Sequence, residues 1–439
     1  MVTEHRRLDD DALAGGEPTA TSFEAFEAIT GPPPPRRHQL ARRRSGAVAM
    51  FAVVAALIAV GLVWVGIHTV ANSKEGRTTQ GPATPLRRLP ATPAALLIGI
   101  DRTGQAVSLT VFGLSPGGHG GNVIVLPAGA AVDVVSGEGA PVRLGSGYAS
   151  GGADGQQVLV ESFLGITISV AAAADESQLA QLLAPLTPVT VQLDEPVIDT
   201  DASGSPVQLF PSGTVSLDAA GAARFLLARD SGGSEIDRLD RVRRFWTAAF
   251  SAANATTTAA STSAASATPS DAGGFVDGLR SGAVQIDSFP VTAVLDPTRN
   301  PDHADLLDVD GTTVRLLMAR ILPGAVSPTD TGLRAWVINP TGDASLSYRA
   351  VGALVYLHVN VMLVTESSSA VPDRTRLAYG TPLGQRSVFL TGIFGRGELV
   401  ATDEPVDGID VTITLGRDFQ AAQAAGATLP PTTTTIGGG

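Results

Sequence analysis

The chain has 439 residues, enough for two or three domains with tails. Its formal net charge of -12 argues against nucleic acid as a partner. It contains no cysteine, which excludes disulfides, thiol nucleophiles and cysteine-held metals and leaves the redox compartment open.

Residues 1–45 carry few large apolar side chains and run into Pro-Pro-Pro-Pro-Arg-Arg, the pattern of a disordered tail. A basic cluster follows at Arg36, Arg37, Arg42, Arg43 and Arg44. Gly46 to Ile67 holds no charge. At about 1.5 Å rise per residue, a helix over 46–68 crosses about 30 Å of hydrocarbon. With the basic cluster on its N-terminal side, the expectation is a single-pass anchor in the cell membrane. The tail would then be cytoplasmic and the rest extracytoplasmic. A cleavable signal peptide is the rival, but the run exceeds the usual apolar core of about 7–15 residues in such peptides. Residues 69–94 read as a Pro/Thr-rich linker leading away from the membrane.

A first folded region is expected over 95–323. Leu96 to Asp101, Ala106 to Leu114, Gly121 to Ala128 and Pro188 to Leu193 have the apolar runs of strands, with helices at Gly155 to Leu164 and Glu176 to Leu183. Strands alternating with helices give an α/β layered domain. Asp218 is placed to cap a helix over the following AAGAARFLLA. The loop Asp230 to Ser234 breaks it, and a second helix follows, with Arg238, Arg241, Arg243 and Arg244 interleaved with Phe245, Trp246 and Phe250. Residues 252–274 are low-complexity, the pattern of an exposed insertion. Phe275 to Pro323 returns to the first domain, with a helix at Thr313 to Ile321. Gly324 to Gly332 reads as a hinge. A second, small domain over 333–419 follows the order β-α-β-…-β, which means α/β or α+β, and 420–439 is a disordered tail.

Arg229, Arg238 and Arg241 are the candidate binding residues. Arg238 and Arg241 lie three apart and share a helix face. Guanidinium forks bind phosphate oxygens bidentately, so these arginines beside a Gly-rich loop suit a diphosphate. The plain alternative is a solvated basic helix paired with Glu235, Asp237 and Asp240. The six histidines are scattered and form no metal-ligand pair. Gly113-Leu114-Ser115-Pro116-Gly117 matches a serine-hydrolase pattern, but Pro116 has no N–H for an oxyanion hole, so it reads as a turn between strands. Asp308 to Thr313, DVDGTT, reads as a turn rather than a calcium loop.

Several segments resemble, in order, pieces of the LytR-CpsA-Psr (LCP) envelope proteins. LLIGID matches that family's opening strand, and LGSGYASGG resembles its "INAAYAYGG". VESFLGITI resembles "VENLLGIPID". FPSGTVSLDAAGAARFLLAR resembles "FPAGTQHLDGEQALAYARSR", and SEIDRLDRVRRF resembles "GDFGRIERQQRF". VINPTGDASLSYRAVGALVYLHVNVMLV and IDVTITLGRDF look like its LytR C-terminal domain. The resemblance implies an α/β/α domain with a mixed sheet. It also implies transfer of a glycopolymer from a polyprenyl diphosphate to peptidoglycan or a related acceptor. Such a site has arginines for the diphosphate, acidic residues for magnesium and an apolar pocket for lipid. Arg229, Arg238 and Arg241 fall on the family's arginines, and Glu235 falls where an acidic residue is usual. The departures are specific. The aspartate of "SDTIML" corresponds to Val107, and the arginine and aspartate of "PRD" to Ala128 and Gly129. The first arginine of "YARSR" corresponds to Leu227, and the glutamine of "ERQ" to Val242. Valine and glycine supply no carboxylate for magnesium. The expectation is therefore a degenerate LCP-like envelope protein. It would bind a polyprenyl-linked or cell-wall glycopolymer, or a wall-assembly partner, without catalysis or cofactor. An active phosphotransferase using magnesium is the alternative.

Overall fold

A computed structural model describes residues 87–132, 141–201, 203–229, 234–256, 268–300, 305–329 and 331–426. The expected cytoplasmic tail, membrane helix, most of the linker and residues 427–439 lie outside the described residues, whereas the start of the expected C-terminal tail is helical, continuing a helix over Arg417–Ala424 whose Phe419 is buried. Among the described residues, no helix is long and apolar enough to cross a membrane.

The first core is built on a five-stranded mixed sheet. Its chain order begins with β1 (Ala94–Ile100), β2 (Ala106–Leu114) and β3 (Gly121–Leu126). Helix α1 (Gly147–Leu164), strand β4 (Val170–Ala174), and helices α2 (Glu176–Leu183), α3 (Ala219–Leu227), α4 (Glu235–Thr256) and α5 (Ala272–Arg280) follow, before β5 (Val284–Ser288). The spatial order is β5-β3-β2-β1-β4. The two outer pairs are parallel and the two inner pairs antiparallel.

Every residue of β2 is buried, because both faces of the sheet are covered. The period-2 alternation of a strand divides its side chains. Ala95, Leu97, Val123 and Val125 face one core with α2, α3, α4 and α5. Leu96, Ile98, Ile124 and Leu126 face the other with α1 and α6 (Gly311–Ile321). The first of these cores is centred on aromatic rings, with Trp246 edge-on to Phe112 at 5.5 Å and to Phe245 at 5.1 Å.

Two helices begin as the sequence indicates. Asp218 accepts from the Gly221 N–H at 2.7 Å, and α2 starts at Glu176 behind a capping box from Asp175 and Gln178. Helix α1 starts at Gly147, ahead of the expected Gly155. Its first turn reads as loop because Gly151 and Gly152 interrupt it, with Gly152 at φ 61°. Buried Gln156 holds that turn, accepting from the Tyr148 N–H and donating to the Leu144 carbonyl. Helix α5, capped by Asp271, begins inside the expected low-complexity stretch 252–274 and runs into the ordered segment that follows it.

A second five-stranded sheet comprises β6 (Arg334–Asn339), β7 (Asn360–Glu366), β8 (Arg376–Tyr379), β9 (Glu398–Ala401) and β10 (Val411–Thr414). Its order is β7-β6-β10-β8-β9, with α7 (Ala344–Tyr356) and α8 (Arg417–Ala424) alongside. The expected hinge at 324–332 is instead tied down on both sides. Thr167 donates to the Ala325 carbonyl and Ser327 to the Gly165 carbonyl. Gly324 donates to Thr92, and Thr329 bonds Asn360. Helix α6 explains the rigidity: Val314, Leu317 and Met318 lie in the first core, while Leu316 and Ala319 lie in the core of the second sheet. A hinge needs slack backbone, and here the donors at 324 and 327 are bonded.

Candidate functional site

A β-bulge opens the site. The β1/β2 ladder pairs Gly99 with Ser108 but Ile100 with Ala106, which leaves Val107 unpaired. Bulges re-aim a side chain, and Val107 lines a cavity of about 360 Å³ at this end of the sheet. Ala128, just beyond β3, lines it too. So do Arg143, Arg229, Glu235, Arg238 and Asp305. The positions that the sequence resemblance aligned with a family aspartate and arginine therefore border this cavity as Val107 and Ala128. A side chain at Gly129 would place its Cβ 2.8 Å from the Asp305 carbonyl oxygen, which leaves no room for a carboxylate there without a shift.

Glu235 and Arg238 sit on the first turn of α4, and both are buried. Arg238 donates from Nε and Nη2 to the two Glu235 carboxylate oxygens at 2.9 Å each. Glu235 also accepts from the Ala128 N–H at 3.0 Å. Burial works against the charged carboxylate. The charge and hydrogen bonds of Arg238, the charge of Arg143 and the Ala128 N–H outweigh it, so the Glu235 carboxyl titrates below the usual glutamate range. Arg229, just past α3, is half-exposed. Its Nε lies 3.2 Å from Asp101, and its Nη2 donates to the Gln105 side chain at 2.6 Å.

Arg241 does not line this cavity. Its guanidinium donates to the Ala228 carbonyl at 2.8 Å and stacks 5.3 Å over the Phe225 ring. It secures the end of α3, where a helix leaves carbonyls without partners. Arg243 and Arg244 form surface ion pairs with Asp240, as the plain reading of this helix anticipated, and Arg244 also pairs with Asp194, which it did not. Sequence reasoning missed Arg143. It lies between two short segments with no periodic pattern, and only the chain path carries it to α4. Its backbone carbonyl accepts from the Ser146 hydroxyl at 2.7 Å, while its guanidinium makes no hydrogen bond or ion pair among the described residues.

The donor set does not fit a magnesium ion. Glu235 already holds Arg238 with both oxygens. Asp101 accepts from the Thr103 and Gln105 N–H groups and the Thr103 hydroxyl with one oxygen, and meets Arg229 with the other. That leaves Asp305 as the one other acidic side chain lining the cavity. A magnesium site commonly uses one or two carboxylates free to face it. Among the described residues, no group of three metal-ligating side chains occurs.

A second cavity of about 530 Å³ adjoins the first. It is lined by Ile100, Val207, Leu209 and Leu227 together with Asp101, Arg102, Asp175, Asp199 and Arg224. Arg229 borders the first cavity and its partner Asp101 the second, so this ion pair stands between them. The hydrolase-like Ser115 lies in the turn between β2 and β3, as expected.

The family model described as LytR_cpsA_psr family matches residues 94–269. No curated protein matches the chain. Among solved structures, TagV of B. subtilis is similar over 52% of this chain and 94% of its own, at 19% identity and a TM-score of 0.38. TagT of B. subtilis is similar over 52% and 88%, at 18% identity and a TM-score of 0.38. A LytR-CPS2A-psr family protein, YwtF (TagT), with bound octaprenyl pyrophosphate lipid is similar over 51% and 86%, at 17% identity and a TM-score of 0.37. Residues 94–269, which hold four of the five strands of the mixed sheet, the bulge and every lining residue of the first cavity except Asp305, are the part of the chain that matches the LytR-CpsA-Psr family.

Proposed function

We propose that this protein is a cell-envelope binding protein of the LytR-CpsA-Psr type that holds a polyprenyl-linked or cell-wall glycopolymer without transferring it. One observation carries the reading. The cavity keeps Arg229 and Arg238 but presents Val107 and Ala128 where the family motifs have charged residues, and the neighbouring Gly129 has no room for a carboxylate. Phosphoryl-type transfer depends on charges placed to meet those that develop in the transition state. Losing one such contact costs about 10²–10³ in rate. Arginines alone still bind anions. The reading includes a single-pass anchor at 46–68, supported by the uncharged run and its basic N-terminal flank. It also takes the second sheet as a LytR C-terminal-like domain, supported by the VINPTG and IDVTITLG segments.

A phosphotransferase is the second reading, favoured by the convergence of Arg229, Glu235 and Arg238 on one cavity. The test uses the full chain in detergent with a polyprenyl-diphosphate glycan and magnesium. Retention of the glycan without turnover is the expected result. Turnover that Arg238→Ala abolishes would overturn the non-catalytic reading and establish the transferase.

A further inference from the structure

Most of the charge bordering the first cavity is already paired. On the positive side stand Arg143, Arg229 and Arg238. On the negative side stand Glu235 and Asp305, with Asp101 bound to Arg229. Two of the three cations are already engaged: Arg238 by both oxygens of Glu235, and Arg229 by Asp101. Because Glu235 is held ionised by its neighbours, its pairing with Arg238 persists at neutral pH. Arg143 is the cation without an ion pair among the described residues, and its Nη2 would lie 3.5 Å from a Cβ built on Gly129.

A diphosphate diester brings two negative charges. One guanidinium without an ion pair offsets only one of them, and the second would meet Asp305 and Glu235. A phosphodiester monoanion matches the one available fork. The wall beside Arg143 is made of small and apolar residues, Ala106, Val107, Ala128, Gly145 and Ala149. That lining suits the carbon substituents flanking a diester better than further phosphate oxygens.

We propose that Arg143 seats a singly charged phosphodiester, so that this cavity prefers a phosphodiester to a diphosphate. The inference rests on the reading of the cavity as a glycopolymer site and narrows its ligand to a phosphodiester within the polymer.

The experiment measures binding to the full chain in detergent by calorimetry, with dimethyl phosphate and inorganic pyrophosphate as probes. Dimethyl phosphate is expected to bind more tightly than pyrophosphate. Arg143→Ala should weaken it by about 10- to 100-fold, the loss of one charge-assisted contact. Arg143→Lys, which keeps the charge but not the fork, should recover part of the loss, and Arg244→Ala, a surface charge control, should change nothing. Circular dichroism and thermal melting establish that each variant is folded. Tighter binding of pyrophosphate, dimethyl phosphate binding indifferent to Arg143→Ala, or no binding of either probe would overturn the proposal. Two further arms separate the sources: a glycan phosphodiester oligomer, and vesicles of phosphatidylglycerol in phosphatidylcholine. Displacement of dimethyl phosphate by either identifies the natural diester. If pyrophosphate wins and a polyprenyl-diphosphate glycan competes with it, this inference fails while the glycopolymer reading stands. If the diester binds through Arg143 but no glycopolymer competes, the glycopolymer reading fails and the phosphodiester site stands.

Discussion

Glu235 and Arg238 are a buried pair, and such a pair is costly to break rather than strongly stabilising to keep. Replacing Glu235 by Gln leaves Arg238 buried without its counter-charge, so stability should fall by about 3–5 kcal/mol at neutral pH. The same residue fixes a pH dependence. Its folded pKa lies below the unfolded value, so its contribution is complete above about pH 4.3 and is lost as pH falls through the folded value. The stability gap between the native chain and Glu235→Gln should therefore be constant above pH 5 and shrink in acid. Urea titrations at pH 7 and pH 3.5 measure it, and a gap that widens in acid would contradict the assignment. The sequence marked Arg238 and Arg241 equally, being three apart on one helix. Their different fates were not readable there. Arg238 meets Glu235 one turn back, whereas Arg241 is drawn to the Ala228 carbonyl by the position of α3.

The helix starts were the most legible elements. Asp218 precedes its helix at the position where a carboxylate reaches the third N–H, and it does so; Asp175 caps α2 in the same way, which the sequence reading did not single out. Asp218→Ala should cost about 1 kcal/mol, seen as a lowered melting temperature, without change in anion binding at the cavity. Elements rich in glycine were harder. The first turn of α1 runs through Ser150-Gly151-Gly152, which locally favours a loop, and it holds because Gln156 bonds across it. The bulge at Val107 was invisible to pattern reading, since an uninterrupted apolar strand gives no sign of which residue a partner strand will skip. Yet that bulge puts Val107 at the cavity.

For Pro85–Gly439 as a whole, α6 is the decisive element. Its opposite faces complete two different cores, and the segment after it is bonded to Gly165, Thr167 and Thr92. Arg87–Arg88 pairs in parallel with Val406–Asp407, and the Arg87 guanidinium lies 5.0 Å over Trp336, so the chain entering the first sheet also rests on the second. The two sheets should unfold together. Calorimetry of the full chain should show one cooperative transition for them, and Ala319→Asp, which places a charge between α6 and the second core, should lower it as a unit. Two separate transitions would show the cores to be independent. The sequence by itself determined the α/β class, the first three strands, the helix capped by Asp218 and the family resemblance. Each depends on contacts a few residues apart or on a local hydrophobic period. Only the tertiary structure decided that Arg143 joins Arg229 and Arg238, that Arg241 does not, and that the expected hinge is held fast. Those outcomes depend on which distant backbone groups and charges the packing brings within hydrogen-bond reach, and no local pattern encodes that distance.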